Sequence, residues 1–290
     1  MSDAFPMRAL DLAQQNFAVA ETLLQLHHLL EGLRLNGAPS DELRLAVCQA
    51  MEAGEHTALK EFGNSRLILY AKDAVAMPDR IHSGDGIDFL LRQAVVVACT
   101  AVESFFWDVL QENVLTIVRA RRNGADESIR NLNFTLGDYI SLENYEDKDL
   151  RLRQLILKNF ERASLSGADA VEKIANTLTV KNLYNKVAEQ AGVEAKELRK
   201  QIGELITRRN MIAHRADRPT EEEQEATEMD GHSLRKIHYS WVNARVQNAK
   251  TVVDASSRII GETLGRLESE LRIREEQSLA QQALQSKRPS

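Results

Sequence analysis

The run Arg208-Arg209-Asn210-Met211-Ile212-Ala213-His214-Arg215-Ala216-Asp217 gathers the residue types that move a proton at a phosphate. Histidine titrates near neutrality, at about 6.5, so one side chain can take a proton and give it back. Arginine keeps its charge and offers a planar fork that pairs bidentately with phosphate oxygens. Arg209 and His214 are five residues apart, about 140° around an ideal helix. They do not share one stripe, so a helix that kinks before Pro219, or a cleft approached from both sides, must bring them together. Residues 199–218 carry six Lys/Arg against two acids, a local charge of +4 in a chain of formal charge −6. The run Glu221–Asp230 follows with six acids and no base. One reading is a charged site beside a charged loop. The other is a solvated helix end whose Arg and His complement the C-terminal dipole.

Helical periodicity dominates the elements that must position this run. Apolar residues recur at helical spacing from Met7 to about Leu35, and Asn36-Gly37-Ala38-Pro39 stops that helix. Helices are expected over Asp41–Phe62 and Ser65–Met77, with a loop and a soft boundary at Met77-Pro78 and Ser83-Gly84-Asp85-Gly86. A long helix from about Ile87 to Arg121 is apolar nearly all round and must be buried on several sides. A short helix after Thr135 comes next, then helices over Leu150–Ala163, Ala168–Thr177 and Leu183–Gln190, with Gly192 as a stop. Ala195 to about His214 carries the charged run. A last helix is expected from about Ser233 to Glu276, with fraying after Ser278.

Composition agrees. Of 290 residues, 43% are hydrophobic and 28% charged, enough apolar mass for a core. Gly (14), Pro (5) and aromatics (5%) are scarce for a sheet-rich protein. An all-α fold is the expectation. The negative charge, with a pI near 5.7, supplies no global field for nucleic acid, which leaves a local patch to do any such binding. Two cysteines, Cys48 and Cys99, exclude a disulfide framework or a thiolate zinc site and suit a reducing compartment. No basic-then-apolar leader is apparent. The longest apolar stretch, Ala94–Ala101, falls short of the roughly 20 residues of a membrane span. A cytoplasmic protein without membrane contact is expected.

Arg209-Asn210-Met211-Ile212-Ala213-His214 resembles the Arg-polar-x-x-x-His signature of HEPN domains, helical nucleotide-binding domains of many prokaryotic RNases. The wider pattern RRNxIAHRxD is similar to the RiboL-PSP type. Glu172-Lys173-Ile174, Leu198, Ile202 and Leu205 resemble the helix pair leading into the motif, and Ala101-Val102-Glu103-Ser104-Phe105 its alanine-glutamate-aromatic helix. The resemblance spans roughly residues 85–268. It implies an all-α HEPN-type bundle at 83–270, with an N-terminal helical extension at 1–82 and a C-terminal tail at 271–290.

The activity implied is metal-independent endoribonuclease cleavage to a 2′,3′-cyclic phosphate and a 5′-hydroxyl, with no cofactor and no metal. RNA would be the substrate, and a homodimer would supply a second Arg/His pair at a two-fold interface. Such domains often act as toxins or antiviral-defence effectors. His214 would be the acid/base and Arg209 the phosphate clamp. Asn210 could orient His214 or bind the sugar–phosphate backbone. Arg208 would be an alternative clamp, Arg215 a surface phosphate contact, and Glu103 a holder of Arg209 or a structural ion pair. Two other classes stay open: a non-catalytic RNA- or nucleotide-binding module, and a helical scaffold in which residues 1–82 dock a regulatory partner. His27 and His28 face different directions and make a poor metal pair. His232 and His238 lack the spacing of a helical zinc site.

Overall fold

The computed structural model describes residues 5–35, 49, 58–62, 67–71, 86–121, 127–130, 132, 134–161, 167–224, 227–231 and 233–286. In chain order the elements are α1 (Phe5–Leu35), β1 (Ala58–Phe62), β2 (Leu67–Ala71), α2 (Asp88–Arg121), α3 (Glu127–Arg130), α4 (Leu136–Glu143), α5 (Lys148–Glu161), α6 (Ala168–Thr177), α7 (Leu183–Ala191), α8 (Ala195–Arg215) and α9 (Tyr239–Ser286). A 3₁₀ turn at Glu221–Glu223 lies between α8 and α9. The fold class is all-α, as the composition predicts.

One hairpin departs from it. β1 and β2 pair antiparallel, Ala58 opposite Ala71 and Phe62 opposite Leu67, where helices over Asp41–Phe62 and Ser65–Met77 were expected. The rest of those two spans lies outside the described residues, apart from residue 49, which is helical. The reason is local. Leu67-Ile68-Leu69-Tyr70 is a short apolar run that suits a strand as well as a helix, and Gly63-Asn64 between the two runs is a turn signal.

Helix boundaries elsewhere follow cap chemistry. Thr135 caps α4, its Oγ1 accepting from the Asp138 N–H at 3.1 Å while Asp138 accepts from the Thr135 N–H at 3.0 Å. Gly192 ends α7 at φ 67°, a left-handed conformation that suits glycine. Helix α9 starts at Tyr239 rather than Ser233. The Asp230 N–H donates to the Leu234 carbonyl and Met229 bridges Arg235, which pairs the chain on either side ahead of the helix. At its other end α9 continues to Ser286, with residues 272–282 all exposed.

Two compact units interleave along the chain. The first comprises residues 1–16, 99–207 and 248–290, the second residues 17–98 and 208–247. The first is cored by Phe105 and Phe106, packed edge to face at 5.1 Å, with Leu110, Ile117, Leu183, Ile202 and Val253. Gln14 bonds Asp254 at 3.4 Å, and Arg274 Nη1 donates to the Ala120 carbonyl at 2.8 Å. The second unit is cored by Phe17, Leu24, Ile87, Leu91, Val242 and Val246. Residues 17–35 of α1 contribute Phe17 and Leu24 to this core.

Among the described residues α2 is the one helix long and apolar enough to cross a membrane, with a mean hydropathy of 1.5 over its best window. Yet 61% of that window is buried inside the protein. A core helix has that pattern.

Candidate functional site

Helix α8 delivers the signature. Its buried residues Leu198, Ile202, Leu205 and Ile206 form one stripe, and Arg209 occupies the next position on that stripe, half-buried. Arg208 and Asn210 are also half-buried, whereas His214 and Arg215 are exposed in the last turn. The helix stays regular through Arg215. Arg209 and His214 are thus five residues apart on one unbroken helix, about 140° around an ideal axis.

The chain turns sharply after Arg215. Ala216 (φ 49°) and Asp217 (φ 64°) are both left-handed, and neither is glycine. The Asp217 N–H bonds back to the Met211 carbonyl, six residues earlier, at 3.0 Å. Asp217 itself is fully buried. Its Oδ2 accepts from Arg208 Nη2 at 2.8 Å and from Arg92 Nε at 2.8 Å.

These bonds belong to a larger network within the second unit. Arg92 Nη2 also donates to Asp230 Oδ2 at 2.7 Å and to the Arg235 carbonyl at 2.9 Å. Arg208 Nη2 reaches the carbonyls of Arg235 and Lys236 at 2.9 and 3.1 Å. Burial pulls the Arg208 guanidinium below its ordinary range, opposed by Asp217. Arg235 pairs with Glu223. Glu223 also accepts from the Thr220 N–H and Oγ1, each at 2.8 Å, and these bonds first, Arg235 after them, hold it below the usual carboxylate range. A second pair lies in the same unit. His27 Nε2 meets Asp88 Oδ1 at 3.3 Å, both buried, with the imidazole stacked on Tyr239 at 6.0 Å.

Arg208, Arg209, Asn210, His214 and Arg215 therefore stand together on one stretch of α8 in the second unit. Glu103, half-buried on α2, belongs to the first unit. Asp217 closes the charged run and the RRNxIAHRxD pattern, and Asp230 the acidic run, but neither was given a role from the sequence, and Arg92 and Arg235 were not singled out. The signal was there: Asp88 and Arg92, four apart, are the charges in an otherwise apolar segment, and charges in an apolar run need partners. Among the described residues no group of three or more His, Cys, Asp or Glu could hold a metal ion.

An all-α chain that presents Arg-Asn-x-x-x-His on the final turns of a long helix is a HEPN-class domain. Its family is specific: the chain belongs to the RiboL-PSP-HEPN family, whose model matches residues 64–255. That match begins upstream of the span at 85–268 read from the sequence, and includes β2. Comparisons with curated proteins and with solved structures give no match.

Proposed function

We propose that the chain is a metal-independent endoribonuclease that acts as a homodimer in the cytoplasm, with a role in toxicity to the host cell or in antiviral defence. The observation that carries the reading is the presentation of the signature. His214 is exposed at the end of α8, with half-buried Arg209 five residues before it.

In the proposed reaction His214 takes the proton of an RNA 2′-hydroxyl as the 2′-oxygen attacks the adjacent phosphorus. The bond to the 5′-oxygen breaks, and that oxygen leaves with a proton from His214 of the second copy. Arg209 carries the charge that builds on the phosphoryl oxygens, a task suited to its fixed fork. Asn210 orients the imidazole or the sugar–phosphate backbone, and Arg215 meets a flanking phosphate. Because α8 is helical through Arg215, Arg209 and His214 lie about 140° apart around an ideal axis, and a two-fold neighbour supplies the missing group at each cleft.

Incubating the purified chain with labelled RNA, with and without EDTA, tests this. The expected result is cleavage in both, ending in a 2′,3′-cyclic phosphate. Binding without cleavage would instead select a non-catalytic RNA module, and neither would select a scaffold.

A further inference from the structure

The signature begins and ends on one ion pair between half-buried Arg208 and fully buried Asp217. Arg208 precedes Arg209 in the chain, Asp217 lies three residues past His214, and their 2.8 Å contact closes the segment between them. Asp217 is 0% exposed, so it does not touch a substrate. A buried carboxylate must be compensated, and Arg92 on α2 supplies the second guanidinium. The backbone supports the same point. Two consecutive non-glycine residues at positive φ are costly, and such strain persists only where its surroundings over-determine it. Here the surroundings are explicit: the Asp217 N–H on Met211, the Asp217 carbonyl accepting from the Arg235 N–H at 3.0 Å, and the two guanidiniums on Oδ2. Asp230, the last residue of the acidic run, is drawn into the same network through Arg92 and is not part of a solvated face.

We infer that Asp217 is the positioning residue of the site: held by Arg208 and Arg92, it fixes where α8 ends and thereby where His214 stands relative to Arg209. This rests on the nuclease reading above. Its chemical sense is geometric. The last turn of a helix frays readily unless it is tied, and a misplacement of about 1 Å at a reacting group costs about 100-fold in rate. Asp217→Asn keeps the shape of the side chain but leaves buried Arg92 and half-buried Arg208 with one formal charge fewer to face. It also places an amide where Oδ1 finds no hydrogen-bond partner among the described residues.

The test compares wild-type full chain, Asp217→Asn and Arg208→Gln, the last retaining the Asp217–Arg92 pair should Asp217→Asn fail to fold. Two readouts are taken: cleavage of a fluorescent RNA oligonucleotide, and amide hydrogen exchange by mass spectrometry. The expected result is a kcat lowered by about tenfold or more with KM within about threefold, because the change is in geometry and not in substrate contact. Exchange should accelerate in residues 211–217 while the centre of α2 stays as protected as in wild type. Unchanged exchange in 211–217, or a raised KM at constant kcat, overturns the inference. Wild-type chain that cleaves no RNA removes the nuclease reading alone, and the exchange of 211–217 then decides whether Asp217 fixes the helix end.

Discussion

His27 on α1 and Asp88 in the first turn of α2 face each other at 3.3 Å inside the second unit, 61 residues apart in the chain. The pair, with Tyr239 stacked on the imidazole, ties the N-terminal helix to the unit that carries the signature. Four residues on, Arg92 leaves the same helix to hold Asp217 and Asp230.

Phe17→Ala should destabilise the protein by about 3–5 kcal/mol, the range for emptying a fully buried aromatic site. Thermal or urea unfolding followed by circular dichroism checks this. A variant as stable as wild type would mean that α1 is a detachable arm.

His214→Ala should abolish RNA cleavage and leave the unfolding midpoint within about 2 °C, since the side chain is exposed and supports no core. Cleavage assays beside melting curves measure both. Full activity in the folded variant sinks the nuclease reading.

Arg209→Lys and Arg208→Lys should separate chemistry from support. Lysine at 209 keeps the charge but loses the fork, so cleavage should fall sharply with little change in stability. Lysine at 208 cannot reproduce bonds to Asp217, Arg235 and Lys236, and should cost about 1–3 kcal/mol. If cleavage depends more on Arg208 with stability unchanged, the register of the clamp is wrong.

The loop after α8 should loosen in acid through Glu223. Its carboxyl is held below the usual range by Thr220 and then Arg235. A lowered folded value means that its stabilising contribution is complete above the ordinary glutamate pKa of about 4.3 and is lost as pH falls through the folded value. Exchange rates of residues 220–236, compared between wild type and Glu223→Gln, should converge as pH is lowered. Parallel curves at all pH values would show that Glu223 does not set this behaviour.

Activity should require two copies. On dilution, cleavage per chain should fall as the dimer dissociates, in step with the mass seen by sedimentation or light scattering. An active monomer would refute the composite site.

Much of this was legible in the residues. Ala168–Thr177 and the end of α2 at Arg121 follow from apolar spacing, and Gly192 from the left-handed turn that only glycine adopts cheaply. The signature was legible because its residue types are chemically unusual together. The hairpin was not, because a five-residue apolar run does not distinguish a strand from a buried helix turn. Nor was the network around Asp217. Asp217, Asp230 and Arg235 sit in polar surroundings in the sequence, and only folding shows that the first two are buried.

The apolarity of α2 has a consequence for synthesis. Residue 121 is made well before residue 239, where α9 begins. At about 5–20 residues per second the ribosome needs roughly 6–24 s to cover that interval. Throughout it, a helix long and apolar enough by composition to cross a bilayer has been made before the Arg274 contact that secures its C-terminal end can exist. The nascent chain must be shielded during that window, and expression yield should respond to chaperone supply more strongly than the stability of the finished protein would suggest.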